Sequence, residues 1–187
     1  MRISPNPIKH YPWWIKPFFW TQQRNYGEIL MPGLLWGKVP LLFATVASLY
    51  GVINRKRSPI TPVLRALVTV RVSQLNHCKF CIDINSMTLA KRTGSETKVL
   101  ALSDWRNDPI FDEQERAVLD YTEAMSDSNQ GVKDEQVATL KQWFNEAAIV
   151  DLTALIAFQN MSAKFNAALD VPAQGFCQIN QQEPNNE

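Results

Sequence analysis

The run Asn76-His77-Cys78-Lys79-Phe80-Cys81 holds the residues best suited to chemistry in this chain. Two thiols three residues apart fall on one side of a helical turn, close enough to close a small disulfide ring. The chain has three cysteines, and two of them stand at this redox-competent spacing. A thiolate at the start of a helix is stabilised by unpaired backbone N–H groups and by the positive end of the helix dipole. His77 and Lys79 add positive charge nearby. Such a thiol attacks a disulfide or a peroxide O–O bond. Peroxide attack leaves an alcohol and a sulfenic acid, which the second thiol converts to a disulfide. An external dithiol must then reduce that disulfide. His77 falls at the mouth of the site, where a surface role and a catalytic role compete.

Other uses of the pair fit less well. A structural zinc site wants four ligands, and beyond the pair the chain offers Cys177, His77 and His10. Covalent haem attachment needs a histidine after the second cysteine, where Ile82 stands. A thioredoxin fold needs βαβ patterning, which the helical stripes below contradict. The plain alternative is two buried cysteines without a redox role. No metal and no cofactor is expected.

The elements that must position the pair read as helices. With 187 residues and seven glycines, the chain fits a single all-α domain with a sizeable core. Residues 1–22 form an arm rich in aromatics and prolines, including Trp13, Trp14, Phe18, Phe19 and Trp20. The arm either dips into a membrane interface or packs on its own core or a neighbouring subunit; with no amphipathic helix or basic face, packing is the better reading. Helices are expected from near Gln23 and over Val39–Ile53. Thr61 and Pro62 mark another start, as N-cap hydroxyl and first-turn proline. There Leu64, Val68, Val72 and Leu75 fit a helical stripe, while Val68, Val70 and Val72 alternate like a strand; helix is chosen because no partner strand is evident. The cysteine helix runs to about Arg92 and stops at Gly94, and Ser95 caps a short helix through Leu102. A turn at Asn107-Asp108-Pro109 precedes a capping box at Asp112 and Glu115 and the stripe Val118, Tyr121, Thr122, Met125. Asp134 caps the next helix. Asn145 starts a long last one through Leu152, Leu155, Ile156, Gln159, Ala163 and Asn166. Residues 23–171 are thus the helical domain, and 172–187 a polar, mobile tail apart from Phe176 and Cys177.

Composition narrows the function classes. The 45% hydrophobic and 20% charged fractions are those of a globular protein, and a net charge of +1 gives no reason to expect nucleic acid. Arg55-Lys56-Arg57, beside Ser58-Pro59, reads as a solvated loop. Three cysteines leave one unpaired, which favours a reducing compartment, the cytoplasm. Pro5, Pro7, Pro12 and Pro17 break up any secretory signal. The longest apolar run, Leu41 to Ile53, falls short of the roughly 20 residues a membrane span needs, so no membrane is expected.

At Leu64-Arg65-Ala66-Leu67-Val68-Thr69-Val70-Arg71-Val72-Ser73-Gln74-Leu75, followed by the cysteine run and the helix ending Ala90-Lys91-Arg92-Thr93-Gly94, the sequence resembles the carboxymuconolactone decarboxylase superfamily. Within it, the similarity is to the alkylhydroperoxidase D-like (AhpD-like) proteins. The segment Leu155 to Asn166 resembles their last helix, so the likeness covers roughly Gln23 to Val171. It implies an AhpD-like all-α domain, a homo-oligomer of two, three or six subunits, a hydroperoxide or disulfide substrate and an external dithiol reductant. Cys81 matches the peroxide-attacking thiol and Cys78 its disulfide partner. The family's histidine four residues after the second cysteine is here Asn85, and its glutamate twelve before the first is Ala66. An amide hydrogen-bonds to a thiolate but does not exchange a proton near neutral pH. His77, Glu28 and Asp83 are the candidates to replace the lost base; Asp83 is the weak one, since an ideal helix points it away from Cys81. The namesake decarboxylation finds no lactone-binding constellation. Two functions follow: a thiol peroxidase or disulfide oxidoreductase, or a non-catalytic helical oligomer or redox sensor with an incomplete proton relay. Cys177 stands as a bystander or a third redox thiol.

Overall fold

Thr61 and Pro62 begin the helix around which the others are arranged. In the structure, a computed structural model describing residues 1–129 and 131–177, Thr61 Oγ1 accepts the Leu64 N–H and Pro62 opens the first turn. This helix, α4 (Pro62–Leu75), packs on three longer-range partners: α5 (Lys79–Thr93), α7 (Glu113–Ser126) and α9 (Glu146–Ala168). Leu64, Ala66, Leu67, Val68, Val70 and Val72 are all buried. A helix enclosed on most sides has no polar stripe to keep a 3.6-residue period visible. That is why its valines alternate like a strand in sequence while the backbone is helical.

Three further helices surround the N-terminal side of the site: α1 (Lys16–Tyr26), α2 (Met31–Gly37) and α3 (Pro40–Ile53). The start of α1 corrects the expectation of a helix near Gln23. Pro17 lies in the first turn, where its missing N–H costs nothing, so the proline that reads as an interruption is a helix start. Gly27, at φ 81°, ends α1 and its N–H bonds Gln23 O. The arm packs inward through Tyr11, Ile15 and Phe19, which are buried with Leu34 and Phe43. Tyr11 donates to Leu34 O (2.9 Å), and the rings of Tyr11, Phe18, Phe19 and Phe43 meet edge to face. Trp13 and Trp20 face outward, 80% and 63% exposed.

The other elements are α6 (Thr97–Ala101) and α8 (Asp134–Leu140), with 3₁₀ turns at Ile8–His10 and Leu102–Asp104. The capping box at Asp112 and Glu115 forms, and Asn145 accepts Ala148 N–H at the start of α9. Two caps move by one residue. Glu96 precedes α6 while Ser95 Oγ accepts Thr97 N–H, and Lys133 precedes α8 with Asp134 in its first turn. The segment after α9 is fixed rather than loose as far as Cys177. The N–H groups of Gln174, Gly175 and Cys177 all donate to the buried Asp83 carboxylate (2.7–2.8 Å). The rest of the expected tail lies outside the described residues.

Among the described residues there is no strand, and no helix is long and apolar enough to cross a membrane.

Candidate active site

The cysteine pair sits where α4 hands over to α5. His77 N–H bonds Gln74 O and Cys78 N–H bonds Ser73 O, with His77 at φ 51°. This is a Schellman closure with His77 in the left-handed position that glycine usually takes. The tight turn lays α5 back along α4, so Arg92 near the end of α5 donates to Pro62 O at the start of α4. Cys78 becomes the N-cap of α5, its sulfur accepting the Cys81 N–H (3.2 Å). Cys81 falls in the first turn, where orphan N–H groups and the helix dipole favour negative charge. The two cysteines form a disulfide with Cα atoms 5.2 Å apart. Both are buried, 1% and 2% exposed.

Beside the pair lies a cavity of about 350 Å³ enclosed by α1–α5 and α9. Cys81 lines it and Cys78 does not. Its walls are largely aromatic and aliphatic, with Phe43, Tyr50, Phe80 and Phe158 among them. Asn166 Nδ2 donates to Cys81 Sγ (3.3 Å). One helical turn past Cys81, Asn85 Nδ2 donates to Ser73 Oγ (3.0 Å), which Gln159 Nε2 also reaches (3.1 Å). Ser73 Oγ in turn donates to Thr69 O (2.5 Å). The thiol's surroundings are thus a neutral network of amides and a hydroxyl. Hydrogen bonds donated to sulfur stabilise a thiolate, whereas the network contains no group that titrates near pH 7.

The candidates from sequence fall apart spatially. Asn85 lines the cavity, while His77, Glu28 and Asp83 do not. His77 is exposed in its turn and Glu28 is half-buried after Gly27. Asp83 is occupied by the chain segment 174–177, and the backbone of Cys177 is one of its partners. Lys79 points to solvent, 3.8 Å from Asp170. Ala66 is fully buried in the apolar core. Ser73, Gln159, Asn166 and Arg65 complete the surroundings without being brought forward by cysteine spacing. The one signal for two of them is that Gln159 and Asn166, seven apart, share the buried stripe of α9. Among the described residues, no group of three or more His, Cys, Asp or Glu side chains could hold a metal ion.

Known proteins share this fold. Residues 40–124 match the model of the carboxymuconolactone decarboxylase family. The protein YnjA of Escherichia coli K12 is 46% identical over 173 residues, covering 92% of this chain and 95% of that one. The AhpD-core structure of a peroxidase-related protein from Ralstonia eutropha JMP134 superposes with a TM-score of 0.83 at 18% identity, over 94% and 93% of the two chains. The apo debrominase Bmp8 does so with a TM-score of 0.81 at 24% identity, over 93% and 92%. At these identities the two structures speak for the fold. The matched segment contains α4, the turn and α5, and so the whole cysteine motif. With these helices, this motif and this match, the chain belongs to the carboxymuconolactone decarboxylase family and has its AhpD-like fold.

Proposed function

We propose that the protein is a thiol-dependent oxidoreductase that reduces organic hydroperoxides, with Cys81 attacking and Cys78 resolving. The observation that carries this reading is that Cys81, and not Cys78, opens onto the apolar cavity. Cys81 thiolate attacks the terminal oxygen of R–O–OH; the O–O bond breaks, a proton goes to the departing alkoxide, and the products are R–OH and Cys81 sulfenic acid. Cys78 thiolate then attacks that sulfur, hydroxide leaves and takes up a proton as water, and the disulfide closes. An external dithiol restores both thiols as it becomes a disulfide. The N-terminus of α5 and the Asn166 amide favour the thiolate. A cysteine-to-alanine variant of Bmp8 was solved with 2,3,4-tribromopyrrole, which supports a small organic molecule as the occupant of such a fold.

Stopped-flow oxidation of the reduced protein by cumene hydroperoxide tests the reading. Oxidation faster than that of free cysteine is expected, abolished by Cys81→Ser. Cys78→Ser should stop at a sulfenic acid trapped by dimedone. If the thiols react no faster than free cysteine and Cys81→Ser changes nothing, the peroxidase assignment fails. The lining contains no carboxylate or imidazole among the described residues, which favours a redox sensor as the second reading. Its signature is a reversible disulfide that alters assembly without turnover.

A further inference from the structure

Among the described residues, two buried side-chain polar atoms have no hydrogen-bond partner: Arg65 Nε and Asn166 Oδ1. Both residues line the Cys81 cavity. A buried donor or acceptor without a partner is costly, and more so when the group is charged. Folds therefore leave few of them, and of the two Arg65 is the one that carries a charge.

Arg65 is 7% exposed. Its bonds to Ile53 O and Arg55 O are long, 3.5 and 3.4 Å, and both come from Nη1. A cap built for the end of α3 would sit nearer 2.9 Å. Arg92, exposed at the rim, is the second cation of the lining, which among the described residues holds no carboxylate. Burial, and then the Arg65 charge, lower the Arg92 guanidinium from its ordinary range. Two guanidiniums thus share one end of an apolar cavity without a counter-ion in its wall.

The helical hairpin sets the spacing. Arg65 precedes Ser73, at the thiol end, by eight residues of α4, and Arg92 follows Cys81 by eleven residues of α5. At 1.5 Å per residue the cationic and thiol ends are about 12–16 Å apart along the helices. We propose that Arg65, assisted by Arg92, is an anion subsite and that the substrate is an organic hydroperoxide whose apolar body ends in a carboxylate. The hydroperoxide head lies beside Cys81, and Arg65 takes the carboxylate at the far end. The identity of the head rests on the peroxidase reading above; the anion subsite does not.

Calorimetric titration of the disulfide form with octanoate and with 1-octanol tests the subsite without turnover. Octanoate is expected to bind at least about tenfold more tightly, in line with one charge-assisted pair. Arg65→Met should remove the preference and Arg65→Lys keep part of it. Equal affinities for the two probes in the unaltered protein, or no octanoate binding, overturn the proposal even where Arg65→Met fails to fold. A folded Arg65→Met protein that keeps the preference does so too. An octanoate preference without hydroperoxide turnover would retain the subsite and remove only the peroxide head.

Discussion

In the proposed peroxidase reading, Asn85 is the residue on which catalytic power turns. Its amide lines the cavity and donates to Ser73 Oγ, a geometry that orders the network but moves no proton at neutral pH. Oxidation of Cys81 in the unaltered protein should therefore rise with pH along a single thiol ionisation and level off once the thiolate is formed. An imidazole at this position would add a group titrating near 6.5 within the same helical turn as Cys81. Asn85→His is expected to raise the rate with cumene hydroperoxide at pH 7 by at least tenfold, short of the roughly hundredfold at which general acid–base effects usually begin, and to add a rate limb between pH 6 and 7. An unchanged rate and profile would show that protons come from solvent and that the position is no relay. The thiols are legible in the sequence because spacing along one helix fixes them, and Asn85 and Ala66 through the resemblance to the family, whose histidine and glutamate they replace. Ser73, Gln159 and Asn166 are not, since they gather around the thiol only after α4 and α9 have packed, across 85 residues in the case of Asn166 and Cys81, and Arg65 joins the cavity wall at its far end.

The elements show which local rules were readable. The hydroxyl, carboxylate and amide caps at Thr61, Asp112 and Asn145 all form, because a cap depends on residues three apart. The start of α1 at Lys16 was hidden by the proline-rich context, whereas α4 was read as a helix from its Thr61–Pro62 start although all-round burial makes its valines alternate. His77 is the element-scale surprise. Flanked by a cysteine it invites a catalytic role, but it occupies the left-handed position that closes α4. A non-glycine residue there carries a conformational cost of about 1–2 kcal/mol, partly offset by glycine's greater freedom when unfolded. His77→Gly is accordingly expected to stabilise the protein by up to about 1 kcal/mol, or about 2–4 °C in Tm for a domain of this size. The rate of Cys81 oxidation should stay within about twofold. A tenfold loss of rate in a stable variant would instead assign the imidazole to the chemistry.

At the scale of the whole molecule, the cavity depends on α4 holding its rotation, and a second polar centre on the far side of that helix provides this. Arg71 and Ser73 are two residues, about 200°, apart around α4, so their side chains face opposite ways. Arg71 pairs with Glu123 on α7 at 2.6 Å, and the same carboxylate accepts from Trp105 Nε1 (2.8 Å) and from Arg106. Burial alone would raise the Glu123 carboxyl, but hydrogen bonds from Trp105 and Arg106 and the charge of Arg71 together hold it below its ordinary value of 4.5. The folded state thus binds this proton less readily than the unfolded chain does. Its contribution to stability is fully present above pH 4.5 and is lost as pH falls through the lower folded value. Glu123→Gln removes the charge while keeping the shape, leaving Arg71 without its anion and Arg106 with Asp120 alone. It should cost about 1–3 kcal/mol in urea unfolding at pH 7. The difference from the unaltered protein should shrink steadily below pH 4.5 as the unaltered glutamate is protonated. A gap that stays constant down to pH 3 would mean that the glutamate acts through packing and not through its charge, and that α4 is held in place by its apolar core alone.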